Sequence, residues 1–211
     1  TGEPDYARFD RLGVQIRPEY RGGRHVLVAV QSQEFYARWS TLSMRQYLDH
    51  VRNQVRKHSS RNLRLRFKPM GRYRRQVSLE QDLQNAWIVV THSSAVALDA
   101  LAYGLPVIVT ERSFCAARLG TAFSHIENPY RPSLEARREL FARIAGHQWT
   151  PREMSSGEAW ARLKENADRT RRRTDGAGAG AEAPAPSAGA QSPGRATLAP
   201  AVGGVEYRPT G

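Results

Sequence analysis

Apolar residues in this chain fall into two kinds of pattern. Short β-branched runs or strict alternations appear at His25-Val-Leu-Val-Ala-Val30, Leu63-Arg-Leu-Arg-Phe67, Ile88-Val-Val90 and Val107-Ile-Val109. These have the length and composition of strands, and the unbroken runs suit strands buried on both faces. Between them, apolar residues recur every three or four positions, as helices require. Met44, Tyr47, Leu48, Val51 and Val55 make one stripe in Leu42 to Lys57, with Ser40, Thr41 and Ser43 available as caps. Ser78-Leu-Glu-Gln81 has capping-box form and opens a short helix to Asn85. A helix from Pro132-Ser133 to about Ala145 turns Leu134, Leu140, Phe141 and Ile144 inward. Thr150-Pro-Arg-Glu153 supplies an N-cap, a proline at the first helical position and a glutamate at the third. It opens a last helix holding Met154, Trp160 and Leu163. Arg11 to Pro18 alternates like an edge strand ended by proline, inside an irregular lead-in over residues 1–23.

The central stretch from Trp87 to Thr110 is the most informative. It reads as strand, polar turn (Thr91, His92, Ser93, Ser94), apolar helix from Ala95 to Tyr103, glycine stop at Gly104, Pro106, and strand. The turn residues favour helix N-caps, and the helix is apolar nearly all round, which predicts deep burial. Strands separated by helices give an α/β fold: a Rossmann-like open, mostly parallel sheet flanked by helices, over residues 24–166. From about Ala167 to Gly211 the chain is Arg/Asp-rich, then Ala, Gly, Pro and Ser, with almost no large apolar residue. Burial there cannot offset ordering entropy, so residues 167–211 read as a disordered tail.

The formal net charge is +12, with a pI near 10.6. Arginines cluster in Arg61 to Arg66 and Arg72 to Arg75. Such a balance attracts nucleic acid, nucleotides, phosphorylated sugars or acidic glycans, or it reflects a GC-rich genome. No aromatic platform or reading motif accompanies the arginines, so specific nucleic-acid binding is not expected. The single cysteine, Cys115, excludes an intramolecular disulfide, consistent with a reducing, cytoplasmic setting. Its neighbours suggest a packed small residue rather than a nucleophile. The six histidines show no ligand spacing, so neither a metal nor another cofactor is expected. No apolar run is long enough for a transmembrane segment, and no signal peptide opens the chain. The first residue is Thr1, as a fragment of a longer protein would have.

In such a sheet the loops after successive strands face one crevice. Three polar clusters follow three strands: Gln31 and Ser32; Lys68 and Arg72; and Thr91, His92, Ser93 and Ser94. The serine hydroxyls and adjacent N–H groups suit a pyrophosphate, which Lys68 or Arg72 would neutralise. They serve equally as caps and a solvated rim. His92 has the chemistry of a phosphate donor, an acid or base, or a capping residue. Asp99, inside the apolar helix, either pairs with an arginine or reaches ligand hydroxyls. Glu111, with Arg112 beside it, follows the next strand and stands where a ribose or base would be contacted.

On these residues the chain resembles a known family. The pattern from Val89 to Val107 looks like the donor-binding half of GT-B-type glycosyltransferases, closest to the capsule and 3-deoxy-manno-octulosonate transferase group. There a polar turn, a helix with an acidic residue and a Gly-x-Pro-Val step recur. The segment Gln148 to Trp160 is similar to the ending of glycosyltransferase-like proteins of bacteria and tailed phages. The resemblance covers roughly residues 11 to 165. It implies a nucleotide sugar as substrate, a glycan or other hydroxyl acceptor, a role in polysaccharide biosynthesis, and a second Rossmann-like domain. The chain itself supplies one clear domain. Asp99 and Glu111 compete for the ribose-binding acid, and no catalytic base carries over. Two other readings stay open: a nucleotide-sugar 2-epimerase of the same architecture, and a non-catalytic polyanion-binding protein.

Overall fold

A computed structural model describes residues 3–67 and 77–178, with only the backbone of 170 and 173–178. Lys68, Arg72 and the tail over 179–211 lie outside the described residues. The chain divides into a first unit, Thr1–Ser156, and a second, Gly157–Gly211.

In the first unit the elements run α1 (Tyr6–Leu12), β1 (His25–Val30), α2 (Gln33–Trp39), α3 (Met44–His58), β2 (Leu63–Phe67), α4 (Leu79–Gln84), β3 (Ala86–Thr91), α5 (Val96–Tyr103) and β4 (Val107–Val109). Two short 3-10 turns follow, Cys115–Leu119 and Phe123–His125, then α6 (Leu134–Ala145) and α7 (Pro151–Ser155). The four strands pair in the order β2-β1-β3-β4, all parallel. This is an α/β, Rossmann-like open sheet with helices on both faces.

Strand residues alternate between two cores, as the two-residue side-chain period demands. Val26, Val28, Val30, Ile88, Val90 and Ile108 face Tyr36 of α2 and Tyr47, Leu48, Val51 and Val55 of α3. Leu27, Val89 and Val107 face Leu83 of α4, Ala97, Ala100 and Leu101 of α5, and Leu140 of α6. The small residues of α5 let it lie close against the sheet. Gly104, at φ +96°, turns the chain out of α5, and a Cβ there would come 2.1 Å from the Pro18 carbonyl oxygen.

The strands, α3, α4, α6 and the α7 start follow the expected pattern within a few residues, and capping boxes form at Ser43, Ser78 and Thr150. Other expectations are corrected. Arg11 to Pro18 is not an edge strand. Arg11 and Leu12 end α1, which Asp5 caps and Gly13 stops at φ +67°. The following segment instead donates single backbone bonds, Arg17 to Ala102 and Tyr20 to Gly104, at the carboxyl end of α5. Leu134 is 53% exposed rather than inward. The helix opened by Thr150 stops at Ser155, and Gly157 takes φ +80°. In the second unit α8 spans Glu158–Gly178, past the boundary set at Ala167, with i,i+4 pairs Arg162–Glu158 and Arg169–Glu165 along it. Backbone continuity of helical bonding does not need large apolar residues, and such charge pairs favour it. Met154, Trp160 and Leu163 are exposed.

Two arginines hold loops inside the first unit. Arg137, 2% exposed, donates to the carbonyls of Pro132, Arg17 and Leu101, at 3.2, 2.8 and 2.9 Å. Arg8, 1% exposed, donates to the carbonyls of Ala145 and Gln148, both at 2.7 Å, and forms a two-pronged pair with Glu153. Glu153 also accepts from the Thr150 amide and hydroxyl at 2.8 Å each. Among the described residues no helix is long and apolar enough to cross a membrane.

Two predictions follow from this packing. Leu101→Ala, at a fully buried site, should cost about 2–5 kcal/mol in urea unfolding, whereas Leu134→Ala should change stability by under about 0.5 kcal/mol. Equal losses would misplace the core. The Arg8 guanidinium, then the Thr150 amide, holds the Glu153 carboxyl well below the usual carboxylate range. A depressed folded value means stability that is present above the unfolded value of about 4.3 and lost as pH falls below it. Glu153→Gln should therefore be less stable at neutral pH and flatter in its stability profile between about pH 5 and 3. Parallel profiles for the two proteins would remove the clasp from the acid response.

Candidate functional site

β1 and β3 are neighbours, yet their chains leave the sheet toward opposite faces. After β1 the chain enters α2 and α3 on one side, and after β3 it enters α5 on the other. A parallel sheet opens a crevice outside its carboxyl edge where the strand order reverses in this way. The residues after β1 and β3 line it. Gln31 Nε2 donates to the Ser93 hydroxyl at 3.2 Å, bridging the two loops, while Gln31 Oε1 is sealed from solvent without a partner. The cleft has a volume of about 420 Å3 and is walled by Gln31, Ser32, Ser93 and Ser94, with Phe35 and Arg66.

Each polar residue of the turn has a distinct task. Thr91, fully buried, donates its hydroxyl to the Ala29 carbonyl at 2.9 Å and accepts from the Ser94 amide at 3.3 Å. That hydroxyl is committed to the backbone, so Thr91 shapes the turn and presents nothing to the cleft. Ser32 caps α2, accepting from the Phe35 amide at 3.2 Å. α5, by contrast, has Ala95 at its N-cap position, whose side chain offers no cap. Only the Ser94 hydroxyl accepts from this helix start, from the Val96 amide at 3.4 Å. The Ser93 and Ala95 amides have no intramolecular partner among the described residues. The turn thus differs from the expectation that a Ser or Thr side chain caps this helix: unpaired N–H groups and the positive end of the helix dipole face outward, an arrangement that suits an anion.

His92 Nδ1 lies 2.9 Å from the Thr110 hydroxyl. The His92 ring packs among Phe35, Tyr36 and Tyr47. Burial raises the Tyr36 phenol to about 12. Glu111 accepts from the Ser113 amide at 2.9 Å and hydroxyl at 2.7 Å, which together with the nearby His92 lowers its carboxyl. Asp99 is exposed on α5 rather than sunk in the core. Residual desolvation raises its carboxyl, and the charge of Arg66 opposes that. The structure therefore brings Gln31, Ser32, Ser93 and Ser94 together and sets His92 behind them, while Asp99 and Glu111 do not line the cleft. Burial pushes the Cys115 thiol up, which disfavours the thiolate.

The cation that the described residues place in the cleft is Arg66. It pairs, together with Arg64, with the fully buried Asp82 of α4. Sequence reading passed over it because Lys68 and Arg72 stand closer to the strand end. The signal was the alternation Arg64, Arg66 on one strand face, which calls for a facing acid. Phe35 was missed with α2 itself. Among the described residues no group of His, Cys, Asp and Glu could hold a metal ion. No protein-family model matches the chain, and no curated protein matches it.

Thr91→Val keeps the volume and removes the pin from the Ala29 carbonyl. It should cost about 1–3 kcal/mol, because a buried acceptor loses its donor. Unchanged unfolding free energy would show that the turn does not need this hydroxyl.

Proposed function

We propose that the first unit binds a nucleotide-activated sugar in the cleft between the β1 and β3 ends, as the donor-binding half of a glycosyltransferase. The observation that carries this reading is the uncapped start of α5 facing a crevice at the reversal of strand order. In this reading the Ser93 and Ala95 amides and the Ser94 hydroxyl hold the donor phosphates, and Arg66 offsets charge that develops on the departing nucleotide phosphate. Phe35 offers an apolar wall. In this reading a second Rossmann-like domain holds the acceptor, a glycan or another hydroxyl compound, and supplies the base that deprotonates its hydroxyl.

Much of the phosphate binding then comes from the backbone, which sets up a contrast at one position. Ser94→Ala should weaken uridine diphosphate binding by only about 0.5–1.5 kcal/mol, one hydrogen bond. Ser94→Asp sets a like charge at the same helix start and should abolish it. The protein should stay folded, since aspartate is favourable there. Thermal shift reads both: ligand at 100 times its dissociation constant stabilises by about 2.7 kcal/mol. An Asp variant that binds uridine diphosphate and its sugars as well as the parent removes the phosphate site from this turn.

A further inference from the structure

The cleft at the carboxyl edge is not lined alike on its two sides. Leu63 and Leu65 of β2 pack into the core under α2 and α3. Side chains alternate along a strand, so Phe67 belongs to that same face. Arg64 and Arg66 belong to the opposite one, where they meet Asp82 of α4. Phe67 ends β2 opposite Val30 in the register, and Phe35 stands on α2, the helix that β1 feeds on that face. Both rings wall the cleft. One side is therefore aromatic. The other carries the Arg66 guanidinium and the start of α5, with Leu79 and Val96 beside them.

Phe67 keeps 45% of its surface exposed, whereas Val30 beside it is buried. An open ring at the mouth of a polar cleft is a face for stacking. The polar side chains nearest the rings are turned to other tasks. Ser32 caps α2, and Gln31 directs Nε2 to the Ser93 hydroxyl at 3.2 Å. A pyranose, with hydroxyls all round its rim, would lose water there without gaining partners. A nucleobase offers two flat faces and keeps its polar atoms on its edge, so it stacks without that cost. From β2 to β3 the sheet advances two inter-strand steps, about 10 Å. The rings and the α5 start are thus too far apart to grip one compact group, and suit the two ends of one nucleotide.

We propose that Phe35 and Phe67 form the base-binding half of the cleft, so that a nucleotide lies across the carboxyl edge with its base on these rings and its phosphates at Arg66 and the α5 start. This rests on the nucleotide reading above and adds a direction to it. It also makes Phe67 a specificity-determining residue, since a phosphate without an aromatic group leaves that half of the cleft unused.

Titrating the full chain with uridine diphosphate and, separately, with pyrophosphate reads the two halves apart. Uridine diphosphate should bind the more tightly. Phe67→Ala and Phe67→Leu should each weaken it by roughly 5- to 100-fold, the loss of one base–aromatic stack, and leave pyrophosphate affinity unchanged. Phe67→Tyr should keep the parent's affinity for both. Because Phe67 is exposed, the variants should melt as the parent does. In the parent complex, nuclear Overhauser contacts should join the uracil protons to the Phe35 and Phe67 rings. Equal affinity of the parent for the two ligands overturns the base site and spares the phosphate site. A Phe67→Leu variant that binds uridine diphosphate as the parent does overturns it too, as does a Phe67→Ala variant that weakens both ligands alike. Binding of neither ligand removes the nucleotide reading, and the base site with it.

Discussion

Two adjacent parallel strands that send their chains to opposite faces cannot close the gap between them with a continuing element. That constraint organises the first unit. Right-handed crossovers commit the chain after β1 to the face of α2 and α3, and the chain after β3 to the face of α5. The loops at their ends must then satisfy their own polar groups at the carboxyl edge. They do so partly across the gap, through Thr91 to Ala29 and Gln31 to Ser93, at 2.9 and 3.2 Å. What they leave unsatisfied defines the cleft: two amides at the start of α5 and one sealed oxygen of Gln31. The valine-rich strands behind supply rigidity, since they are buried on both faces.

The positive charge of the chain looks different once its arginines are placed. Arg8 and Arg137 are fixtures that gather loop carbonyls in the interior. Arg61 and Arg131 stack on Trp87, 4.1 and 4.7 Å from its ring centre. Arg64 and Arg66 share the buried Asp82. A guanidinium is well suited to such places, because its planar fork donates in several directions and is weakly hydrated. Six of the 32 basic residues therefore help to maintain the fold, and net charge alone overstates the surface available to polyanions. Arg66 belongs to both groups: Asp82 holds it rigid, and it borders the cleft.

Much of this was legible in the sequence for physical reasons. The strands announced themselves by β-branched runs, and α3, α4, α6 and α7 by caps whose hydrogen bonds the structure contains. α1 was not legible because one of its two buried residues is an arginine, which reads as surface. α2 buries only Tyr36 over its seven residues, too little for a periodic signal. Asp99 is exposed because a helix on the flank of an open sheet keeps one solvent-facing stripe, which the nearly unbroken apolar composition of α5 hides in the sequence. The convergence of Gln31 on Ser93 joins residues 62 positions apart, and only the strand order reveals it. Arg66 was hidden for the same reason, its partner Asp82 lying on another element.

The central claim is that an anionic nucleotide enters at the carboxyl edge between β1 and β3. Amide chemical-shift mapping with uridine diphosphate tests it most directly, because the backbone N–H groups are themselves the proposed ligands. The largest changes should fall on Gln31, Ser93, Ser94, Ala95 and Val96, and they should saturate with one affinity. Changes centred instead on the arginine-lined hollow of Arg52, Arg56 and Arg61, with the β1 and β3 ends unmoved, would contradict the account.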